Sequence, residues 1–482
     1  MDHYDLIVIG SGPAGEKGAA TARFFGKNVA MVERNPQLGG ASTNTGTIPS
    51  KTLRETALAL SGTRARKLYG VDLSLRHDAT IPDLMYHEER VKRAEVDRVE
   101  DVIRDRAIDL YHGHARFTDP HTVMVKHDSG SETTISAEKF LIATGSSPVH
   151  PPGFNFEDAR ILDSDTILRI GSLPKRLAVI GAGVIGSEYA STFAALGREV
   201  HVIDKREELL PFLDNEISAA LEEGMKQTGV IFHWNEEIAH CENSVSGTVI
   251  LTCVSGCEIE VDAVLVAAGR NSNTGDLNLA AAGVTLGQRG LIATDEHYRT
   301  NVEHIYAAGD VIGFPALAAT SAEQARVAMC HAFDKSYFKE RIASILPTGV
   351  YTIPEAGMVG ETEEALIEKK VDYVVGHAPY SQNARGQIIG DSFGFLKLLF
   401  EREDMKLVGV HAIGEQATEL VHIGLIAILA GCKAEVFNTA CFNYPTLGEL
   451  YKYATYSAFV RRGGEHVLTA GRTPPKAAEA SR

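Results

Sequence analysis

The hydrophobic pattern of this 482-residue chain changes character along its length. In the first half, short unbroken apolar runs that end in glycine alternate with helix-length stretches free of proline. Asp5-Leu-Ile-Val-Ile-Gly10 is followed by Asn28-Val-Ala-Met-Val-Glu33, and Leu177-Ala-Val-Ile-Gly181 by Glu199-Val-His-Val-Ile-Asp204. Runs rich in β-branched residues without polar alternation suit parallel strands covered on both faces, so the pattern predicts two β-α-β units. From about residue 340 the rhythm becomes mixed. Phe395-Leu-Lys-Leu-Leu-Phe400 and Leu407-Val-Gly-Val-His-Ala-Ile413 read as strands, and 417–430 reads as a helix, which together predict an α+β third domain. The most apolar stretch, 423–429, falls well short of the ~20 residues that span a bilayer and is expected in a buried helix.

Each β-α-β unit opens on the same turn, Gly10-Ser-Gly12-Pro-Ala-Gly15 in one and Gly181-Ala-Gly183-Val-Ile-Gly186 in the other. One such match is weak evidence, since the chain's 45 glycines would produce roughly 0.4 of them by chance. Two matches in the same strand-turn-helix setting are strong evidence. The first glycine permits the tight turn, the second lets the backbone approach a pyrophosphate, and the third lets helix and strand pack closely. The helix N-terminus then offers free N–H groups to the anion. An acid stands 23 residues after the first glycine in both copies, Glu33 and Asp204, where a carboxylate accepts from a ribose diol. Asp204 favours NAD over NADP by repelling a 2′-phosphate. Lys205 and Arg206 beside it carry the charge to pair with that phosphate, or are exposed helix-entry charges, so use of both nucleotides stays open.

Composition narrows the class. At roughly 150 residues per domain the length fits about three domains. The formal charge of -16 and the 44% hydrophobic content suit a globular enzyme and exclude a nucleic-acid surface. The acidic start Met-Asp-His-Tyr-Asp lacks the basic region of a secretion signal, which predicts a cytoplasmic protein with no membrane partner. Six scattered cysteines without a C-x-x-C pair are expected to be reduced, buried and non-catalytic, and no metal site is expected. The segment Ser146-Ser-Pro-Val-His-Pro-Pro-Gly153 reads as a linker between the two modules, and the polar, proline-containing 463–482 as a disordered tail.

The segment Gly39-Gly-Ala-Ser-Thr-Asn-Thr-Gly-Thr-Ile-Pro-Ser-Lys51 resembles the two-dinucleotide-binding-domain flavoprotein reductases, the pyridine nucleotide-disulfide oxidoreductase family. Ala143-Thr-Gly145-Ser, Ala268-Gly-Arg270-Asn-Ser-Asn-Thr274, Ile305-Tyr-Ala-Ala-Gly309-Asp310 and Tyr351-Thr-Ile-Pro-Glu355 extend the resemblance over nearly the whole chain. It implies two Rossmann-like doubly wound α/β domains and an α+β dimerisation domain: 1–150 with 276–342 for FAD, 151–275 for NAD(P), and 343–462 for the interface of a homodimer or higher homo-oligomer. It also implies roles. Asp310 accepts from the ribityl chain, Ala115 lies beside the adenine, and Gly40, Thr144, Gly145, Gly269, Gly309 and Ala318 belong to the cofactor-binding set. Lys51 and Glu188 form an ion pair near the flavin on its nicotinamide side.

Departures from the family pattern carry the functional expectation. The two places of the redox-active cysteines fall on Ser42 and Thr47, and the place of the acid–base histidine falls on Tyr444, in Phe442-Asn-Tyr-Pro-Thr446. Hydroxyls do not replace thiolates in disulfide exchange, so disulfide reduction at the usual site is excluded. The wording of 46–51, 181–190, 347–354 and 442–446 is most similar to the soluble pyridine nucleotide transhydrogenases, which usually keep one cysteine at the position of Ser42. The resemblance implies ping-pong hydride transfer from NADPH to NAD at one site, with Lys51 and Glu188 supporting the flavin and Thr47 at its edge. A quinone reductase of the same fold needs the same open flavin face, and a non-catalytic flavoprotein sensor or complex subunit is the remaining alternative. Tyr444 reads equally as an interface aromatic.

Overall fold

The computed structural model describes residues 1–61, 81–244 and 247–463; most of the predicted tail, 464–482, lies outside the described residues. Two compact units are present. One takes in the described residues up to Glu207 and the segment Thr228–Ser344, and the other takes in Glu208–Gln227 and the chain from Ile345 onward.

In the first unit the strand Asp2–Ile9 lies between Val29–Glu33 and Glu132–Ile142, parallel to both. All five residues of Val29–Glu33 are buried, as expected of a strand covered on both faces. Asp109–His112 extends this parallel sheet beyond Val29–Glu33, and Ile305–Ala307 pairs with the C-terminal half of Glu132–Ile142. The N-terminal half of that strand instead joins an antiparallel meander with Thr122–Lys126 and His114–Asp119. The connecting helix Pro13–Phe24 begins with Gly12 as its cap and Pro13 at its first position, where a proline's fixed φ and missing N–H cost nothing.

The second copy repeats the arrangement. Five parallel strands stand in the order Val230–Trp234, Glu199–Asp204, Arg176–Ile180, Ala263–Val266, Ile161–Leu162. A three-stranded antiparallel sheet, Ile238–Asn243, Val249–Cys253 and Glu258–Val261, accompanies them. The predicted linker is partly a strand: Ser146–Pro148 pairs with Arg270–Ser272, and Arg270 clasps it by donating from Nη2 to the Ser146 carbonyl at 2.8 Å.

The second unit is a five-stranded antiparallel sheet, in the order Thr348–Val350, Ala356–Gly360, Leu407–Ile413, Phe395–Glu401, Tyr373–Pro379. The helices Ala417–Leu429 and Leu450–Gly463 pack on it around Leu398, Val410, Leu420, Val421 and Tyr451. Helix Asn215–Gln227 belongs to this unit, tied by an ion cluster: the fully buried Lys397 donates to Asp214 at 2.7 Å, lies 3.0 Å from Glu216 and also donates to Glu363. These three carboxylates converge in a way that would suit a metal ion, and the ammonium stands against all of them.

Two expectations are corrected. The apolar run 423–429 is helical but only half buried: Gly424, Ala427 and Ile428 are buried, while Ile423, Ile426 and Leu429 are exposed, Ile426 by 65%. The sheet takes the opposite side of the helix through Leu420, Val421, Gly424 and Ala427, leaving the outward stripe open in the single chain. Of the cysteines, only Cys253 and Cys330 are buried, while Cys257 and Cys441 are exposed because they sit in a hairpin turn and an interhelical loop. All six are free thiols.

Candidate functional site

The two glycine turns divide their work in the same way. Gly10 has φ +103° and Gly181 φ +105°, and a Cβ on either would stand 2.4 Å from the Ala143 carbonyl oxygen or 2.6 Å from that of Ala267. A Cβ on Gly15 or Gly186 would come within 1.9 Å of the carbonyl oxygen of Gly10 or Gly181. These four are required by the protein itself. The middle glycines are different: a Cβ on Gly183 meets nothing within 4 Å, and on Gly12 only Gly40 at 3.9 Å. Both spaces lie at helix N-termini, Pro13–Phe24 and Val184–Ala195. Both places leave room for a group from outside the chain, of the kind a pyrophosphate would fill.

Glu33 ends its strand buried, accepting from the Ser11 main-chain N–H at 2.9 Å and hydroxyl at 2.7 Å, and from the Asn35 N–H at 2.8 Å. Asp204 accepts from the Ala182 N–H at 2.6 Å and the Arg206 N–H at 2.9 Å. The Arg206 guanidinium adds two more bonds to it, from Nε at 2.9 Å and Nη2 at 2.7 Å. Burial alone would raise the Asp204 pKa; the Arg206 and Ala182 donors outweigh it and hold the carboxyl down at about 2. Lys205 points elsewhere, to Glu237 at 2.5 Å.

Between the modules stands the Lys51–Glu188 pair at 2.5 Å, its side chains 26% and 7% exposed. Lys51 lies in the helix Thr47–Ser61 and Glu188 in the second fingerprint helix, Val184–Ala195. Thr47 is exposed at the first position of the Lys51 helix, one turn before Lys51 and on the same face. Ser42 is half-buried on the short helix Gly40–Asn44. Gly40, at φ +59°, lets that helix meet Gly12, to whose Cα a Cβ would come within 2.8 Å.

Several of the remaining candidates gather at the same carboxyl end of the first sheet as the Gly10 turn. Asp310, following Gly309, accepts from the Ser146 hydroxyl at 2.6 Å, and Arg270 Nε donates to that same hydroxyl at 2.8 Å. Thr144 donates to the Asn273 carbonyl at 2.8 Å, and the Asn273 N–H donates to the Gly145 carbonyl at 3.0 Å. No Cβ contact lies within 4 Å of Gly145 or Gly269. Ala318 begins the helix Ala318–Ala332, whose Gln324 accepts from the Gly309 N–H at 2.8 Å. Ala115 is buried in the strand beginning at His114. Tyr444 belongs to the second unit and is 69% exposed.

Sequence reasoning passed over Ser11, Ser146 and Arg270. Ser11 fills an unspecified place in the fingerprint, yet its fully buried hydroxyl joins Glu33 to the Gly39 N–H at 3.0 Å. A buried serine beside a buried acid is visible only in three dimensions.

Residues 4–332 match the pyridine nucleotide-disulphide oxidoreductase model and 346–455 its dimerisation domain. A soluble pyridine nucleotide transhydrogenase of Mycobacterium bovis (strain BCG / Pasteur) is 47% identical over 94% of this chain and 97% of its own length. That of Chromohalobacter salexigens is 41% identical over 96% and 99%. Among solved structures, the Cu(II) complex of the HOCl-induced flavoprotein disulfide reductase RclA from Escherichia coli has a TM-score of 0.86 at 25% identity, covering 95% of this chain and 99% of that one. LpdA from Mycobacterium tuberculosis gives the same TM-score, identity and coverage. Among the described residues no helix is long and apolar enough to cross a membrane. With both halves matched in order, this chain belongs to the pyridine nucleotide-disulphide oxidoreductase family, with soluble pyridine nucleotide transhydrogenases among its relatives.

Proposed function

We propose that the protein is an FAD-dependent NAD(P) transhydrogenase that moves hydride from NADPH to NAD in ping-pong order at a single nucleotide site. The observation carrying this reading is the Lys51–Glu188 pair, which joins the two fingerprint modules; it is supported by the resemblance that sets Ser42 and Thr47 at the places of the disulfide-reducing relatives' thiols. FAD, when bound, supplies a two-electron carrier that accepts hydride from one nicotinamide and yields it to another. The chain's own groups bind and orient. Gly10, Gly12, Gly15, Glu33, Gly40, Ala115, Thr144, Gly145, Gly309, Asp310 and Ala318 would hold the FAD, within the domain 1–150 and 276–342. Gly181, Gly183, Gly186, Asp204, Arg206 and Gly269 would hold the NAD(H) or NADP(H), within 151–275.

Lys51 Nζ presents a fixed positive charge, which stabilises negative charge developing nearby, and Glu188 fixes its direction through a 2.5 Å bond. Thr47, on the same helix face, offers a hydroxyl and no exchangeable sulfur. The exposed stripe Ile423, Ile426 and Leu429 supports a homodimer built on 343–462, and the similarity to soluble transhydrogenases supports a cytoplasmic location. Initial rates with NADPH and thio-NAD varied together test the reading. Parallel double-reciprocal lines are expected, and intersecting lines contradict the ping-pong order.

A further inference from the structure

The two acids of the repeat are capped alike and differ in one respect. In each, the residue between the first two glycines donates its N–H to the carboxylate (Ser11 to Glu33, Ala182 to Asp204), and the residue two places after the acid donates another (Asn35, Arg206). A carboxylate offers about four acceptor positions. Glu33 has three of them filled, by Ser11 twice and Asn35 once, and no cation pairs with it among the described residues. Asp204 has all four filled, because the Arg206 side chain takes one position on each oxygen. A ribose diol therefore finds an acceptor position on Glu33 and none on Asp204 unless the guanidinium leaves.

We propose that Arg206 is a displaceable internal ligand of Asp204 that sets the nucleotide specificity of the second module, so that a 2′,3′-diol and a 2′-phosphate are accepted on nearly equal terms. This rests on the transhydrogenase reading and deepens it. A nucleotide with a free diol displaces the guanidinium and takes the two acceptor positions it vacates. A nucleotide with a 2′-phosphate draws the same guanidinium onto itself, and its negative charge is answered before it meets Asp204. Both ligands break the same pair, so that cost cancels from the comparison between them. When either departs, the pair re-forms and occupies the subsite, which favours the exchange that ping-pong turnover demands. The Arg206 side chain is 42% exposed against 9% for Asp204, so a nucleotide can reach the guanidinium from solvent while the acid stays fixed by two main-chain donors. Glu33 lacks such a partner, as suits a module whose nucleotide stays bound.

The test is calorimetric binding of 5′-ADP, which carries the diol, and of 2′,5′-ADP, which carries the phosphate, to flavin-loaded protein. Wild type should bind the two within about 10-fold of each other. Arg206→Gln should weaken 2′,5′-ADP by about 10-fold or more and hold 5′-ADP at least as tightly as wild type, while Arg206→Lys keeps part of the phosphate affinity. Asp204→Asn should do the reverse. Arg206→Gln weakening both fragments alike, or neither, overturns the proposal. Fragment binding needs no turnover, so a fragment switch seen in protein whose flavin NAD cannot reoxidise would contradict the transhydrogenase reading alone.

Discussion

At the scale of residues, the site depends on side chains that are missing as much as on those present. Gly12 and Gly15 stand three residues apart and make opposite demands. Alanine at 15 drives a methyl into the Gly10 carbonyl oxygen and should destabilise the first module by at least the ~1–3 kcal/mol typical of overpacking. Alanine at 12 meets no protein atom closer than 3.9 Å. It should leave the melting temperature of flavin-free protein unchanged and lower flavin retention, read as the flavin-to-protein absorbance ratio after gel filtration. Glu188→Gln keeps the shape around Lys51 and removes its countercharge. It should lower the rate of flavin reduction by NADPH by about 10- to 100-fold, with flavin content retained; an unchanged rate would make the pair a packing feature.

Among the elements, what could be read in advance followed from strong local rules. The two β-α-β units were legible because parallel strands buried on both faces must be apolar throughout and because the glycine turns have a backbone reason. The C-terminal sheet was legible from alternation. The ion cluster was not, since Lys397 lies within Phe395-Leu-Lys-Leu-Leu-Phe400 with no local sign of a partner, yet it is 0% exposed and held by Asp214 from a segment 183 residues away. Burial disfavours its charge, and the carboxylates around it more than restore it, raising its pKa. Lys397→Ala would leave those carboxylates unpaired and should cost about 3–5 kcal/mol in denaturant unfolding. The cluster also predicts a pH dependence. The hydrogen bond from His377 leads in pulling Glu216 from 4.5 down to about 2, against burial, with Lys397 assisting. A lowered folded-state pKa contributes stability that is complete above the ordinary carboxylate range and is lost as pH falls from 4.5 towards 2. Acid unfolding of Glu216→Gln should therefore be less steep over that window than that of wild type.

At the scale of the whole molecule, the exposed stripe is the feature that local pattern left open. Beyond the exposed Glu419 and His422, Ile423, Ile426 and Leu429 form an outward apolar row on a helix whose other side is already buried, and such a row marks a surface that is covered by a partner. Ile426→Asp should convert the homo-oligomer to monomer by sedimentation, and an unchanged mass would place the interface elsewhere. On the reading that Ser42 and Thr47 take the places of the family's two thiols and Tyr444 that of its histidine, no sulfur stands between the two nucleotide sites and an outside substrate. The central claim is that a second nicotinamide nucleotide is the acceptor. Anaerobic stopped-flow mixing of purified protein with one equivalent of NADPH, followed by a chase with NAD, tests it most directly. The account predicts flavin bleaching and then reoxidation by NAD at a rate no slower than steady-state turnover. Flavin that stays reduced in NAD but is reoxidised at once by a quinone such as menadione would contradict it.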